Sequence, residues 1–517
     1  MRLALASLAL GAGLLAPKGP LTAQITPVTV PKGQLRWDFS GQLESWDARW
    51  RDGVREEAAA DFARANLDRT FIPGLGEAEQ RLQRITGLSQ LNLSLGRSIA
   101  SQIVNRGTRG IGGAFGLTKS ITLFGSVPFV SVKIESRFLI DTATSTLGAN
   151  PGAAQFATFL NQLGAAVGAL QTRITSGAFD GDPNLKAQAQ ARLSYGQMLL
   201  AELIGLLSEP TTASAFLPLG TSPVGAALLS QIRSFQAELA GLFGVPGFTA
   251  ALSLPTRRAD VDAFTNYLTD PTGPIISRPL DETPYLIRMG DIEVGAAWRL
   301  VDRFPAARFG SGFRATLDGT VRLRTAQLDR QDRFLDLGTG DRQPDVELNL
   351  TTDFAFGRLG LRMVGGYNLQ LPGNQNRRVT SPDQPIARAT TQAGVRRDPG
   401  DVIRVSARPF IRLATHLSVY GAVDYWTRQL DRFEYAAGQP PVEGVDLQVL
   451  GVGSKADALL LSTGISYSHS GQDKRGMLGL PMDASFRYQR VARSGTGIIP
   501  DSHSVRFDLR FYTRLWK

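Results

Sequence analysis

The sequence predicts an all-β transmembrane chain: an antiparallel up-and-down outer-membrane β-barrel of about twelve strands, fourteen being the alternative, with a large extracellular helical insertion. Three observations predict it. From Ser504 to Trp516 the chain reads SVRFDLRFYTRLW, placing Val505, Phe507, Leu509, Phe511 and Leu515 on one face and Arg506, Asp508, Arg510, Tyr512 and Arg514 on the other. A strand turns its side chains over at every residue, so such alternation builds a ribbon with one apolar and one charged surface. The connections between ribbons of this kind alternate between short and long. The polar faces are rich in arginine throughout. A soluble sheet would press its apolar face onto protein, whereas a membrane barrel turns that face to lipid and the charged face inward.

The 517 residues include 55 glycines and no cysteine. Zinc–cysteine and iron–sulfur centres are thereby excluded, as is a disulfide-stapled module. Residues 1–23 read as a secretory signal, with Arg2 at its positive start, an apolar run from Leu3 to Ala16, and Ala23 before Gln24. That run is too short for a spanning helix. Removing it takes away Arg2 and Lys18 and lowers the formal charge from +10 to +8. The arginines are spread along strands rather than gathered in a patch, so no nucleic-acid partner is expected.

The elements follow in order. Gly33 to Leu43 alternates and forms the first strand. Residues 24–138 hold the first barrel strands, with a helical loop at 47–88. Alternation resumes at Ser89 with Leu91, Leu93 and Leu95 and runs unevenly to Leu117; splitting this stretch is one route to fourteen strands. After a tight turn, Ser120 to Phe138 forms a long strand. Its apolar positions change parity beside Pro128, which predicts a bulge there. Residues 139–286 form the mostly helical extracellular insertion, with helices over Pro151–Arg173, Pro183–Leu207 and Val224–Phe243. Residues 287–517 carry the remaining strands: Asp291–Leu300, Phe313–Arg324, Val346–Phe356, Leu359–Leu369, Val402–Leu413, Leu417–Arg428, Leu459–Tyr467, Ala484–Val491 and the closing ribbon.

Connections near 118, 357 and 415 are tight, and the one at 303–310 is modest. Those at 44–88, 139–286, 326–343, 370–400 and 430–456 are long. That alternation is expected of periplasmic turns and extracellular loops, with both chain ends in the periplasm. The linker at 470–481 is longer than this pattern predicts.

Three segments carry a family resemblance: FGLTKSITLFGSVPFV at 115–130, GDIEVGAAWRLVDR at 290–303 and LDLGTGDRQPDVELNL at 335–350. They resemble segments of outer-membrane transporter barrels of the FadL/TodX type, the fatty-acid and aromatic-hydrocarbon channels. The closing Arg-Leu-Trp-Lys is similar to the aromatic-rich last strand that barrel-assembly machinery recognises, although Trp516 is penultimate. The resemblance implies a channel in a Gram-negative outer membrane, in contact with lipid and lipopolysaccharide. That family also has an N-terminal plug with an Asn-Pro-Ala motif. Only a few residues separate Gln24 from Gly33, so no such plug is expected, and Asn150-Pro151-Gly152 stands in the insertion instead.

The three histidines, His416, His469 and His503, fall on different connections, so no metal cluster is expected. No nucleophile elbow, P-loop or dinucleotide fingerprint is present. No catalytic residue, cofactor or metal is assigned, and an enzyme is not expected; a hydrolase built on His503 is the remote alternative. The acidic loop at 332–345 has the carboxylates and glycines of a calcium site without EF-hand spacing, and a tight turn is the plainer reading. The expected lumen lining is Arg314, Asp318, Arg322, Arg324, Glu347, Asp353, Arg362, Arg404, Arg408, Arg412, Asp424, Arg506, Asp508, Arg510 and Arg514. Salt bridges among them should run between neighbouring strands. They make either a hydrated path with anion preference or a ladder of ion pairs that fills the interior. Helical stripes in the insertion supply candidate ligand contacts at Phe156, Leu160, Leu163, Ile232, Phe235 and Leu239, with helix-on-helix packing as the alternative. The expected function is passive uptake of a small hydrophobic or amphipathic solute by a monomer. The rival is a structural or adhesive surface protein with a closed lumen.

Overall fold

The computed structural model describes residues 28–278, 280, 286–303, 310–334, 337–381, 384–414, 416–469 and 481–515. The signal segment 1–23, Trp516 and most of the long linker at 470–481 lie outside the described residues. Twelve strands form the wall: β1 (Gln34–Trp46), β2 (Arg97–Gly116), β3 (Ile121–Asp141), β4 (Glu293–Asp302), β5 (Gly312–Arg322) and β6 (Asp345–Phe356). They continue as β7 (Leu359–Gln370), β8 (Val402–Arg412), β9 (Leu417–Arg428), β10 (Ala456–His469), β11 (Met482–Ser494) and β12 (His503–Arg514). Each pairs antiparallel with the next, and β1 closes the ring on β12, from Gln34 opposite Arg514 to Ser45 opposite His503. Closure leaves no edge, the condition for strands to cross hydrocarbon. Among the described residues no helix is long and apolar enough to cross a membrane.

The outward face is apolar. Trp37, Leu123, Val294, Leu317, Leu350, Met363, Val405, Val423, Leu461, Phe486 and Phe507 all stand exposed around the ring. Trp298 and Phe356, 54% and 61% exposed, lie toward the short-turn end, where interfacial aromatic girdles sit. Short connections (117–120, 303–311, 357–358, 413–416) gather at one end and most long ones at the other; the exceptions are the linker joining His469 to Met482, on the short-connection side, and the eight residues 495–502, on the long one.

The strand pair β2–β3 keeps one continuous register over twenty residue pairs, from Arg97 with Asp141 to Gly116 with Thr122. The bulge expected beside Pro128 is absent from this ladder. At about 3.3 Å per residue the pair is ~65 Å long, far beyond the ~25 Å apolar band. Its upper half therefore leaves the membrane. There the inward positions Ala100, Val104, Ile134 and Phe138 become the buried apolar ones, because they pack on the loops and helices above the barrel. The parity change in the sequence marks a change of surroundings. The interruption is on the other side of β3: its ladder with β4 stops at Ser126–Glu293, and Leu286–Met289 takes over opposite Phe129–Val132.

Among the described residues five α-helices stand at the long-loop end: α1 (Leu75–Thr86), α2 (Ala153–Thr175), α3 (Pro183–Leu207), α4 (Pro223–Gly241) and α5 (Val261–Thr269). Local chemistry sets their starts. Asp182 accepts from the amides of Asn184 and Leu185 ahead of Pro183, and Ser222 accepts from Gly225 ahead of Pro223. Asp260 caps α5, an element the sequence reading did not separate. The 89–96 stretch is not strand; Leu93 and Leu95 are buried in the helical core, so their alternation reflects packing in a loop. Residues 97–116 form one strand, which leaves the count at twelve. The loop at 47–88 is also less helical than expected, since Ala48–Arg51 and Val54–Glu57 pair as a hairpin before α1.

Two outcomes are expected. Leu461→Arg, on the lipid face in the middle of β10, should destabilise the barrel by ~2–4 kcal/mol, read as a lowered urea midpoint in lipid. Glu202 on α3 joins Arg81 and Arg84 on α1 at 3.1 and 2.9 Å. The hydrogen bond from Arg84 holds its carboxyl below the ordinary range, against opposing burial. A depressed carboxyl contributes stability above its unfolded value, near ~4.3, and loses it as the pH falls through the folded value. Acidification below about pH 4 should loosen the α1–α3 contact while the barrel persists; Glu202→Gln should flatten that dependence in helix ellipticity against pH.

Candidate functional site

The inward face of the strands encloses a cavity of about 250 Å³. Alternation places polar side chains there: Arg36, Asp38, Ser40, Gln42 and Glu44 follow one another down β1. Space is left partly because β2 presents Gly110 and Gly112 inward. A Cβ at Gly110 would come within 2.5 Å of the Ser40 hydroxyl, and one at Gly112 within 2.6 Å of the Gly125 carbonyl. No residue of 151–244 lines the cavity, so the helices cap the barrel rather than fill it.

Most of the charges pair across strands, and some along one strand. Arg322 on β5 reaches Glu293 on β4 at 2.9 Å, Asp345 on β6 at 2.9 Å, and Glu347. Arg404 on β8 also bonds Glu347. Nearer the short turns, Asp353 on β6 is held from both sides, by Arg314 on β5 at 2.7 Å and Arg362 on β7 at 2.6 Å. These are register partners, so one carboxylate serves two guanidiniums in a row. Arg36 donates twice to Asp38, at 2.8 and 2.9 Å, and Arg506 to Asp508 at 2.9 Å. The Arg408 guanidinium lies 5.3 Å from the Tyr420 ring centre.

Of the expected lining, Asp318, Arg322, Glu347, Arg404, Arg408, Asp424, Arg506, Asp508 and Arg510 border the cavity. Arg314, Asp353 and Arg362 are buried beside it in their own cluster. Arg412 is buried at the turn end of β8, donating to the carbonyls of Gly310 and Gly357. Arg324 and Arg514 are corrected: both are exposed, because β5 ends at Arg322 and Arg514 is the terminal residue of β12. Alternation continued in the sequence beyond the end of the wall. Phe156, Leu163, Ile232, Phe235 and Leu239 are buried in the common core of the cap, with Leu160 packed against it. They face protein and not a groove, so a stripe at helical spacing marked burial without naming what buries it.

Sequence reading missed Arg36, Arg106, Asp345 and Arg487, all at the cavity. Arg487 lies between the outward Phe486 and Tyr488, and that parity was available to find it. The segment before β1 also belongs to the interior. Val30 is buried with its amide 2.8 Å from the Thr122 hydroxyl, and Val28 borders the cavity, so this short stretch enters the short-turn end.

The cavity has no overall positive excess, for eight arginines meet ten carboxylates. Their distribution is polarised. Around β4–β6 and the adjoining loops one arginine, Arg322, meets six carboxylates. On the facing arc, β11, β12, β1 and β2 bring five arginines against three carboxylates. Beside that arc, on β8 to β11, Val402, Trp426, Ala458, Leu460 and Val491 form an apolar patch inside the wall together with Ile499 of the short strand 498–500. A smaller cavity of about 40 Å³ beneath the hairpin tip at Ile499–Pro500 shares Trp426, Leu460 and Gln489 with the larger one.

No protein-family model and no curated protein matches the chain. Among solved structures, an outer-membrane channel from Pseudomonas putida F1 aligns at 8% identity, over 95% of this chain and 100% of that one, with a TM-score of 0.42. A mutant of the TodX monoaromatic hydrocarbon channel aligns at 9% identity, over 94% and 91%, with a TM-score of 0.28. The translocator domain of the autotransporter NalP from Neisseria meningitidis aligns at 7%, over 93% and 90%, with a TM-score of 0.30. Hydrocarbon channels of the TodX type, which the sequence segments resemble, are thus among the structures this chain is similar to, while its assignment as a membrane barrel rests on its own strand pairing.

Proposed function

We propose that the chain is an outer-membrane channel for passive, diffusive uptake of small hydrophobic or amphipathic molecules. The observation that carries this reading is the cavity inside the barrel: the helical cap stays out of it, and apolar and charged walls lie side by side in it. A lumen needed only to fill space would favour close-packed side chains. Solute capture is assigned to the inner wall and not to the helices, whose apolar stripes are committed to their own core.

A specific observation favours the rival, a surface protein with a shut lumen. Toward the short turns the interior is occupied by the Arg314–Asp353–Arg362 cluster, and the 28–30 segment enters that same end. In the channel reading these groups form the narrow part of the path. Vesicles carrying the full chain are then expected to swell in isosmotic phenyl glucoside faster than empty vesicles. The triple variant Arg314→Ser, Asp353→Ser and Arg362→Ser should swell faster still, because it widens the constriction. Removing the carboxylate together with both of its guanidiniums avoids the ~3–5 kcal/mol penalty of stripping a buried charge of its partner. Swelling equal to that of empty vesicles for both proteins would overturn the channel reading in favour of the closed barrel.

A further inference from the structure

At the long-loop end of the lumen the wall carries polar groups that the protein leaves unmet. Gln370 closes β7 and Asn368 precedes it by one inward step; both border the cavity, 4% and 8% exposed. Neither end of the Gln370 amide, Nε2 or Oε1, has a hydrogen-bond partner among the described residues, and Asn368 Oδ1 has none either. The Asn368 amide is oriented by its Nδ2, which donates to Asp345 at 3.1 Å and so turns the oxygen away. Turning the Gln370 amide over only exchanges its donor and its acceptor, and leaves one of each unmet.

Arg404 completes the polar group. It stands on β8 opposite Gly366, and with no side chain there its guanidinium crosses β7. Its Nη2 lies 3.7 Å from where a Gly366 Cβ would stand, and donates to Glu347 and Asn349 on β6. Its Nε and Nη1 have no partner among the described residues. The two carboxylates bonded to these residues are already matched, Glu347 by Arg404 and Arg322, and Asp345 by Arg322. What remains unmet is a mixture of donors and acceptors. A simple ion answers one kind, whereas a hydroxyl answers both. Buried groups of this sort are costly to leave unbonded, and a ligand that reproduces the bonds water would make to them displaces that water without loss.

Apolar neighbours lie beside them. Val402 is the register partner of Asn368, and Trp426 that of Arg404. Both are buried in the inward apolar patch and border the cavity. The five residues occupy three adjacent strands and three inward levels. At ~5 Å between strands and ~7 Å between levels the group spans ~10 by ~14 Å, which matches a pyranose ring carrying one aromatic substituent.

We propose that Asn368, Gln370 and Arg404 form a binding station for the hydroxyls of an uncharged sugar, with Val402 and Trp426 against the apolar part of the same molecule, a small glycoside. This deepens the channel reading by naming the head group of the amphipathic solute, and its use in uptake rests on that reading. Alternating donors and acceptors recognise a polyol, and the indole offers its face to the C–H surface of the ring or its substituent.

The test is calorimetric titration of the full chain in an amine-oxide detergent, whose head group carries no competing sugar. The ligands are phenyl glucoside and 2-phenoxytetrahydropyran, which keeps both rings and lacks every hydroxyl, each corrected for its heat of entry into protein-free micelles. Phenyl glucoside should bind at least about tenfold more tightly. Gln370→Leu should weaken it by about tenfold and leave the urea midpoint of the barrel unchanged or higher, because that side chain gives up no hydrogen bond within the described residues. Trp426→Leu should weaken it by about fivefold, and this variant serves if Gln370→Leu does not fold. Equal binding of the two ligands, glucoside affinity indifferent to Gln370→Leu or to Trp426→Leu, or tighter binding of benzoate or benzyltrimethylammonium than of the glucoside overturns the proposal. Glucoside binding without flux into vesicles would sink the channel reading alone. Flux without glucoside binding would sink the sugar station alone.

Discussion

The pairing of β1 with β12 is the contact on which the rest of the molecule depends. Hydrocarbon offers no partner to a backbone amide or carbonyl, so an unpaired edge in the membrane would leave a row of polar groups unsatisfied, each costing several kcal/mol. Twelve register pairs from Gln34–Arg514 to Ser45–His503 remove that edge. Closure also fixes the sense of every side chain. Once Trp37 and Phe507 face lipid, Arg36, Asp38, Arg506 and Asp508 have nowhere to point but inward. The enclosed charges are a consequence of a closed ring built from alternating ribbons.

Enclosed charges then need partners, and the cross-strand register provides them. Arginine suits this work because one guanidinium can reach several carboxylates, as Arg322 does toward Glu293, Asp345 and Glu347. Pairing is nevertheless uneven around the ring. Carboxylates predominate beside β4–β6, and arginines predominate on the opposite arc. The two arcs face each other across the cavity, so a solute within it experiences a transverse field, which low-dielectric walls sharpen.

Much of this was legible in the sequence, because alternation reports directly on which side of a ribbon is wet. The strand count and most of the grouping of long and short connections follow from period two and connector length, as does the cross-strand course of the Arg322 and Arg314–Asp353–Arg362 bonds, whereas Arg36–Asp38 and Arg506–Asp508 run along single strands. What alternation cannot report is the identity of the apolar neighbour. At Leu123 it is lipid, whereas at Ile134 and Phe138 on the same strand it is the helical cap. Leu93 and Leu95 mimic a strand while packing inside a loop, and Phe156 and Phe235 mimic a ligand groove while packing on other helices. Nor does alternation mark where a ribbon leaves the wall, which is why parity alone points Arg324 and Arg514 inward although both are exposed. The cavity itself was not legible, since it depends on Gly110 and Gly112 of β2 meeting the polar column of β1 across a register that only the fold sets.

The inward apolar patch is the feature that membrane insertion does not require. A barrel interior can remain polar throughout, and over most of this ring it does. Part of the patch has a structural use: Ile499 belongs to a short strand paired with Ala48–Arg51, and its contact with Val491 ties that outer hairpin to the wall. Trp426 and Leu460 are buried in the same cluster and also border both cavities, so they serve the hairpin and the lumen together.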